Sequence, residues 1–138
     1  MILFIDDEGR LMDSHRQHLE FKLADYNKKL VYFSEVDAAM DFFAGHKNEL
    51  ELVILDVMMP PGHSFDKDSN HGLKTGYLIF KKFREVLPDL PILFYTNSAD
   101  EALAKKEQED KHLKYLSKIN YSLLDDLWVE VKAMLALK

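Results

Sequence analysis

Short, wholly apolar runs alternate with longer segments of helical period, and that alternation restricts the fold of this chain more than any other feature. The runs Ile2–Ile5, Leu52–Leu55 and Ile92–Tyr95 contain no charged residue. A strand reads this way when neither of its faces meets water. The segments between them repeat apolar residues every three or four positions, the period of a helix with one buried face. Buried strands alternating with such helices predict a parallel sheet, with right-handed crossovers that place helices over both faces.

The first helix is expected from Gly9 to Tyr26, with Leu11, Leu19 and Leu23 on one stripe and His15 among them. Leu30 to Phe33 is a second strand. Ser34, with Asp37 in the reciprocal position, predicts the cap of a helix that turns Val36, Ala39, Met40 and Phe43 inward and stops at Gly45. A long polar stretch, about residues 61–75, follows Pro60. The next helix presents Ile79, Phe80, Phe83 and Leu87 and ends at Pro88. Ser98 with Glu101 predicts a capped, strongly polar helix through Lys105 to Lys111. A fifth strand runs from about Leu113 to Leu116. Ser122 and Asp125 then open a last helix carrying Leu124, Leu127, Trp128, Val131 and Leu135. These are five βα units, without internal repeat or linker, so one domain over 1–138 is expected.

The strand ends carry the chemistry. The first run stops at Asp6-Asp7, the third strand at Asp56, the fourth at Thr96, and the fifth leads to Lys118. In one parallel sheet all of these meet at the carboxyl edge, where open α/β sheets bind ligands. Three carboxylates, a hydroxyl and an ammonium in one crevice predict a magnesium-dependent phosphoryl-acceptor site.

The bulk numbers set outer bounds. The 138 residues suffice for a sizeable core. A formal net charge of -6 argues against a nucleic-acid binder that relies on a basic face. The chain has no cysteine, which excludes disulfides and thiolate chemistry and suits the cytoplasm. No apolar stretch approaches the roughly 18 residues that would span a bilayer. No charged segment precedes the first strand, so a secretory signal is not expected.

Taken together, these motifs resemble those of the receiver domains of two-component response regulators, over nearly the whole chain. Asp6-Asp7-Glu8 looks like the acidic pair, and Leu55-Asp56-Val57-Met58-Met59-Pro60 like the phosphoacceptor strand end. Thr96, Tyr115 and Lys118 fall where that family has its switch hydroxyl, switch aromatic and lysine. The resemblance implies a doubly wound, flavodoxin-like (βα)5 fold with strand order 2-1-3-4-5. It implies Asp56 as phosphoacceptor and Mg²⁺ held by Asp6, Asp7, Asp56 and the Met58 carbonyl. Lys118 would pair with the phosphoryl group, and Thr96 and Tyr115 would move with it. A histidine kinase or phosphotransfer protein would be the donor, and an unidentified protein the target, with no nucleic acid or membrane involved. The chain would be a stand-alone switch rather than an enzyme.

Three features depart from that pattern. Ile119 follows Lys118 where the family usually has a cis proline. Asn97 follows Thr96 where a smaller residue is commoner. The 61–75 stretch exceeds the usual loop, and stretches of that length are generally functional or disordered; gating of the site or a partner contact is expected of it. Two other readings stand beside the leading one. One is an aspartate-nucleophile phosphohydrolase of the haloacid-dehalogenase type, although Met58 stands where its acid is required. The other is a pseudo-receiver that only binds. His15 and His18, and His63 and His71 beside the long loop, lack a ligand pattern and read as surface or interface residues, with His15 at the core edge. Asp66 and Asp68 read as solvating turn residues, and Lys105 to Lys111 as a solvated face.

Overall fold

The computed structural model describes residues 1–65, 70, 72, 74–97 and 101–138. Five parallel strands form one sheet in the order β2-β1-β3-β4-β5. They are β1 (Ile2–Ile5), β2 (Leu30–Phe33), β3 (Leu52–Leu55), β4 (Ile92–Thr96) and β5 (Leu113–Ser117). The helices are α1 (Asp13–Ala24), α2 (Val36–His46), α3 (Thr75–Val86), α4 (Glu101–Glu109) and α5 (Leu124–Met134), with a short 3-10 turn at Lys47–Glu49. The expected (βα)5 architecture and strand order are therefore present.

Alternation along the strands divides the core into two layers. Leu3, Ile5, Val53, Leu55, Ile92 and Phe94 pack with Val36, Ala39 and Phe43 of α2, Ile79, Phe80 and Phe83 of α3, and Leu103 of α4. Phe4, Ile54, Leu93 and Tyr95 face the other way, onto Leu19 and Leu23 of α1 and Leu127, Trp128 and Val131 of α5. The chain moves from β1 outward to β2, then reverses across the sheet to β3. Right-handed crossovers consequently put α1 on one face and α2, α3 and α4 on the other. The reversal lies between β1 and β3, whose register pairs Ile5 with Leu55. Asp6 and Asp56 thus leave the sheet side by side at its switch point.

Several local expectations need correction. Helix α1 starts at Asp13, not Gly9, and Leu11 lies outside it, 71% exposed; Met12 is buried instead. Ser34 and Asp37 do not form a capping box. The residue preceding α2 is Glu35, without a side-chain cap, because the Asp37 carboxylate is engaged elsewhere. Nor does Gly45 end α2, which continues to His46 and into the 3-10 turn. Before α5 the cap falls one residue later than expected: Leu123 N–H donates to the Asp126 carboxylate at 3.1 Å. Ser122 and Asp125 meet α1 instead, through His15 Nε2 to the Ser122 carbonyl and His18 Nε2 to Asp125 Oδ1, each at 2.9 Å. His15 also packs its ring against Tyr95, which is the core-edge position its stripe predicts. Ser98, Asp66, Asp68 and His71 lie outside the described residues.

Candidate functional site

Strand geometry brings the acidic residues together before any polar contact forms. Asp6 N–H donates to the Phe33 carbonyl and Asp56 N–H to the Ile5 carbonyl, each at 3.1 Å, so both residues continue the ladder one step past their strands. Asp6 is fully buried and Asp56 nearly so. Carboxylate oxygens of Asp6, Asp7 and Asp56 lie within 4.8 Å of one another. Two backbone amides hold this constellation: Glu8 N–H donates to Asp6 Oδ1 and Val57 N–H to Asp56 Oδ1, both at 2.8 Å. The Tyr32 hydroxyl donates to the Asp6 carbonyl and fixes the turn from behind.

On the far side, β4 and β5 are tied at their ends by Lys118 N–H donating to the Thr96 carbonyl at 2.8 Å. That bond directs the Lys118 side chain back over the sheet edge. Its Nζ lies 2.7 Å from Asp6 Oδ2, 2.8 Å from Glu8 Oε1 and 3.3 Å from Asp56 Oδ2. No cis peptide bond occurs among the described residues, so Lys118 reaches the site from a trans Lys118–Ile119 bond. Tyr95 supports the following loop by donating its hydroxyl to the Tyr121 carbonyl at 2.6 Å.

The acidic residues and the β4 end surround a cavity of about 300 Å³, lined by Asp7, Glu8, Asp56, Met58, Thr96 and Asn97. Six of the seven residues expected to form the site are therefore at or beside one opening. Tyr115 is not at it. It sits further down β5, half-buried against the α2–α3–α4 layer. Its N–H donates to Glu107 Oε2 at 2.6 Å, which couples β5 to α4. Helix α3 approaches the site so closely that a Cβ on Gly76 would lie 2.2 Å from the Asp56 carbonyl oxygen, so only glycine fits there. Thr75 Oγ1 donates to the Met59 carbonyl at 2.6 Å and closes the same turn.

The electrostatics are dominated by crowding of negative charge. Burial, reinforced by the neighbouring Asp56, pushes the Asp6 carboxyl up to about 6 despite the attraction of Lys118. Asp7 is raised for the same two reasons. The Lys118 ammonium is held well above its ordinary range: burial opposes the charge, but Asp6 and Asp56 outweigh it. Asp6 Oδ2 is buried, and its close contact is the ion pair with Lys118 Nζ at 2.7 Å. Three clustered carboxylates, of which Asp6 and Asp7 have pKa values raised by burial and by the charge of Asp56, fit a small, hard divalent cation, which takes oxygen ligands and keeps several waters.

Sequence reasoning missed three contributors. Glu8 was part of the acidic triplet but had no separate role, and its contact with Lys118 spans 110 positions. Asn97 was noted for bulk alone, yet its Nδ2 donates to Glu8 Oε1 at 3.0 Å across the cavity mouth. Asp37 holds the start of the long loop: its carboxylate accepts from His63 N–H, Ser64 N–H and Ser64 Oγ at 2.6 to 3.1 Å. The sequence signalled Glu8 as the third residue of the acidic triplet and Asp37 as a capping residue of α2, but no local pattern names the partner that either takes.

No family model and no curated protein matches the sequence. Solved structures do match over nearly the whole chain. A CheY-like response regulator receiver domain protein from Methanospirillum hungatei aligns with a TM-score of 0.70 at 20% identity, covering 98% of this chain and 92% of that one. A response regulator receiver domain protein from Clostridium thermocellum aligns at 0.66 and 21% identity, covering 98% and 93%. The receiver domain of the hybrid histidine kinase CckA aligns at 0.64 and 22% identity, covering 97% of each chain. The chain thus has the fold of receiver domains, and the resemblance carried by its motifs extends to the whole architecture.

Proposed function

We propose that this chain is a phosphorylation-controlled signalling switch that accepts a phosphoryl group on Asp56. The observation that carries the reading is the position of Lys118 Nζ, which touches the acidic cluster and Asp56 at the carboxyl edge of a receiver-type sheet. An Asp56 carboxylate oxygen attacks phosphorus, and the bond from phosphorus to the donor nitrogen breaks, its electron pair leaving with the imidazole. Asp6, Asp7, Asp56 and the Met58 carbonyl are the groups to hold Mg²⁺, which supplies charge neutralisation among the carboxylates and the incoming phosphoryl oxygens. The protein's part is orientation and charge stabilisation. Val57 N–H fixes one oxygen of Asp56, and Lys118 is poised to take a phosphoryl oxygen.

Thr96 is the residue to bond a further phosphoryl oxygen, drawing the β4 end inward. Tyr115 on β5 would pass that movement to the α4–β5–α5 surface, a reading supported by the bond from its backbone N–H to Glu107 of α4. The donor in this reading is a histidine kinase or phosphotransfer protein, and the output is altered binding to another protein. The setting is cytoplasmic, and no helix among the described residues is long and apolar enough to cross a membrane.

Intact mass after incubation with acetyl phosphate and Mg²⁺ tests the proposal. One added phosphoryl group is expected, absent in Asp56→Asn. Sustained turnover of a phosphomonoester would favour a phosphohydrolase instead. An unchanged mass, under conditions that load other receivers, would favour a pseudo-receiver.

A further inference from the structure

Of the three carboxylates on Lys118, two are locked in place and one is free to leave. The side chains of Asp6 and Asp56 are 0% and 4% exposed, whereas that of Glu8 is 26% exposed. The Glu8 backbone is held by its N–H bond to Asp6, so the side chain moves from a fixed base. Its Oε1 sits between two donors from different loops, Lys118 Nζ at 2.8 Å and Asn97 Nδ2 at 3.0 Å. Glu8, Asn97, Thr96 and Asp56 line the same cavity. Glu8 Oε1 thus occupies two of the donors, one ammonium and one amide, that border the cavity beside Asp56.

The geometry points to Glu8 as an internal competitor for Lys118: its carboxylate occupies the lysine and Asn97 while Asp56 is unmodified, and has to withdraw to solvent when a phosphoryl oxygen arrives. This inference rests on Asp56 being the phosphoacceptor. Glu8 acts through Lys118 and is a positioning residue. Its charge works in opposite directions on the two ligands of the site. It adds negative charge that favours a divalent cation, and it takes a share of the Lys118 ammonium that Asp6 and Asp56 would otherwise hold alone. It also repels an incoming anion and withholds the ammonium from it. A merely structural tether would not produce that opposition.

Glu8→Gln keeps the length and the accepting oxygen but removes the charge. At saturating Mg²⁺, the variant is expected to bind beryllofluoride about tenfold tighter or more than the parent, as befits removal of one close like charge in a half-buried site. In the absence of beryllofluoride, its Kd for Mg²⁺ by calorimetry is expected to rise. Equal beryllofluoride affinity, or both affinities moving the same way, would overturn the inference. A crystal structure of the parent protein with beryllofluoride on Asp56 provides a measurement free of any variant: Glu8 should have left Lys118, and a Glu8–Lys118 pair still near 2.8 Å would overturn the inference. Failure of the parent to take beryllofluoride at all would instead remove the phosphoacceptor reading, and this inference with it.

Discussion

The hydroxyl of Tyr95 donates to the backbone carbonyl of Tyr121 at 2.6 Å, linking the buried end of β4 to the loop that carries Lys118. Tyr95 is 1% exposed, and burial pushes its hydroxyl up to about 12, so it remains a donor at any working pH. Ser117 supports the same loop, its carbonyl accepting from Tyr121 N–H and its hydroxyl from Ile119 N–H. Tyr95→Phe keeps the ring packing and removes the donor. It should cost about 1 kcal/mol of stability. Amide exchange over residues 118–122 should accelerate while the sheet stays protected; unchanged exchange there would show that Ser117 alone holds the loop.

Lys118 is the only cation in direct contact with the buried acidic cluster among the described residues. Lys118→Met fills a similar volume but strands Asp6 and Asp56 without a counter-charge. A loss of about 3 kcal/mol or more is expected in urea denaturation. Mg²⁺ should recover part of that loss in the variant, and more than it adds to the parent. A variant as stable as the parent would mean that the Lys118 ion pairs contribute nothing net to the fold.

The raised pKa of Asp6 gives the metal-free protein a pH dependence opposite to that of most carboxylates. The folded carboxyl titrates at about 6, against an ordinary value of 3.8. Between those values the folded chain holds a proton that the unfolded chain has released, so stability rises as pH falls from 7 towards 5. The gain should be of the order of 1 to 3 kcal/mol. Saturating Mg²⁺ competes with the proton and should flatten or reverse the trend. Urea midpoints at pH 7 and pH 5, with and without Mg²⁺, make the comparison, and a metal-free midpoint that is lower at pH 5 would contradict it.

Asp37 fastens the beginning of the long loop to the first turn of α2. Its bonds from His63 and Ser64 hold its pKa down to about 2. A lowered carboxylate stabilises the fold above its unfolded value of 3.8, and that contribution is lost as pH falls through about 2. The fastening therefore persists through pH 5. Gly62, at φ 61°, lies so close to Asp37 that a side chain there would strike the carboxylate. Asp37→Ala should make the chain near residues 62–65 markedly more sensitive to limited proteolysis, with little change in the global unfolding midpoint. Equal cleavage rates would show that the loop is held by other contacts.

What the sequence determined by itself is the part of the structure that local pattern encodes. β1, β3 and β4 are buried on both faces, so each is a continuous apolar run. The residue that ends each run is necessarily delivered to the carboxyl edge of a parallel sheet. Asp6, Asp56, Thr96 and the approach of Lys118 were legible for that reason. Helix boundaries were less so, because capping is a competition for partners. Asp37 has the right spacing to cap α2, but the loop after β3 offers it amide and hydroxyl donors instead. Asp125 likewise yields its expected place to Asp126 because His18 of α1 stands beside it. Glu8 shows the limit most clearly. A flexible charged side chain next to the acidic pair carries no periodicity that names its partner. Only the reversal of the chain between β1 and β3, and the right-handed crossovers that follow, bring Lys118 and Asn97 within its reach. Short-range patterning chose the strands and their terminal residues; long-range topology chose which polar groups share a bond, since the energy of such contacts depends on distance in space and not along the chain.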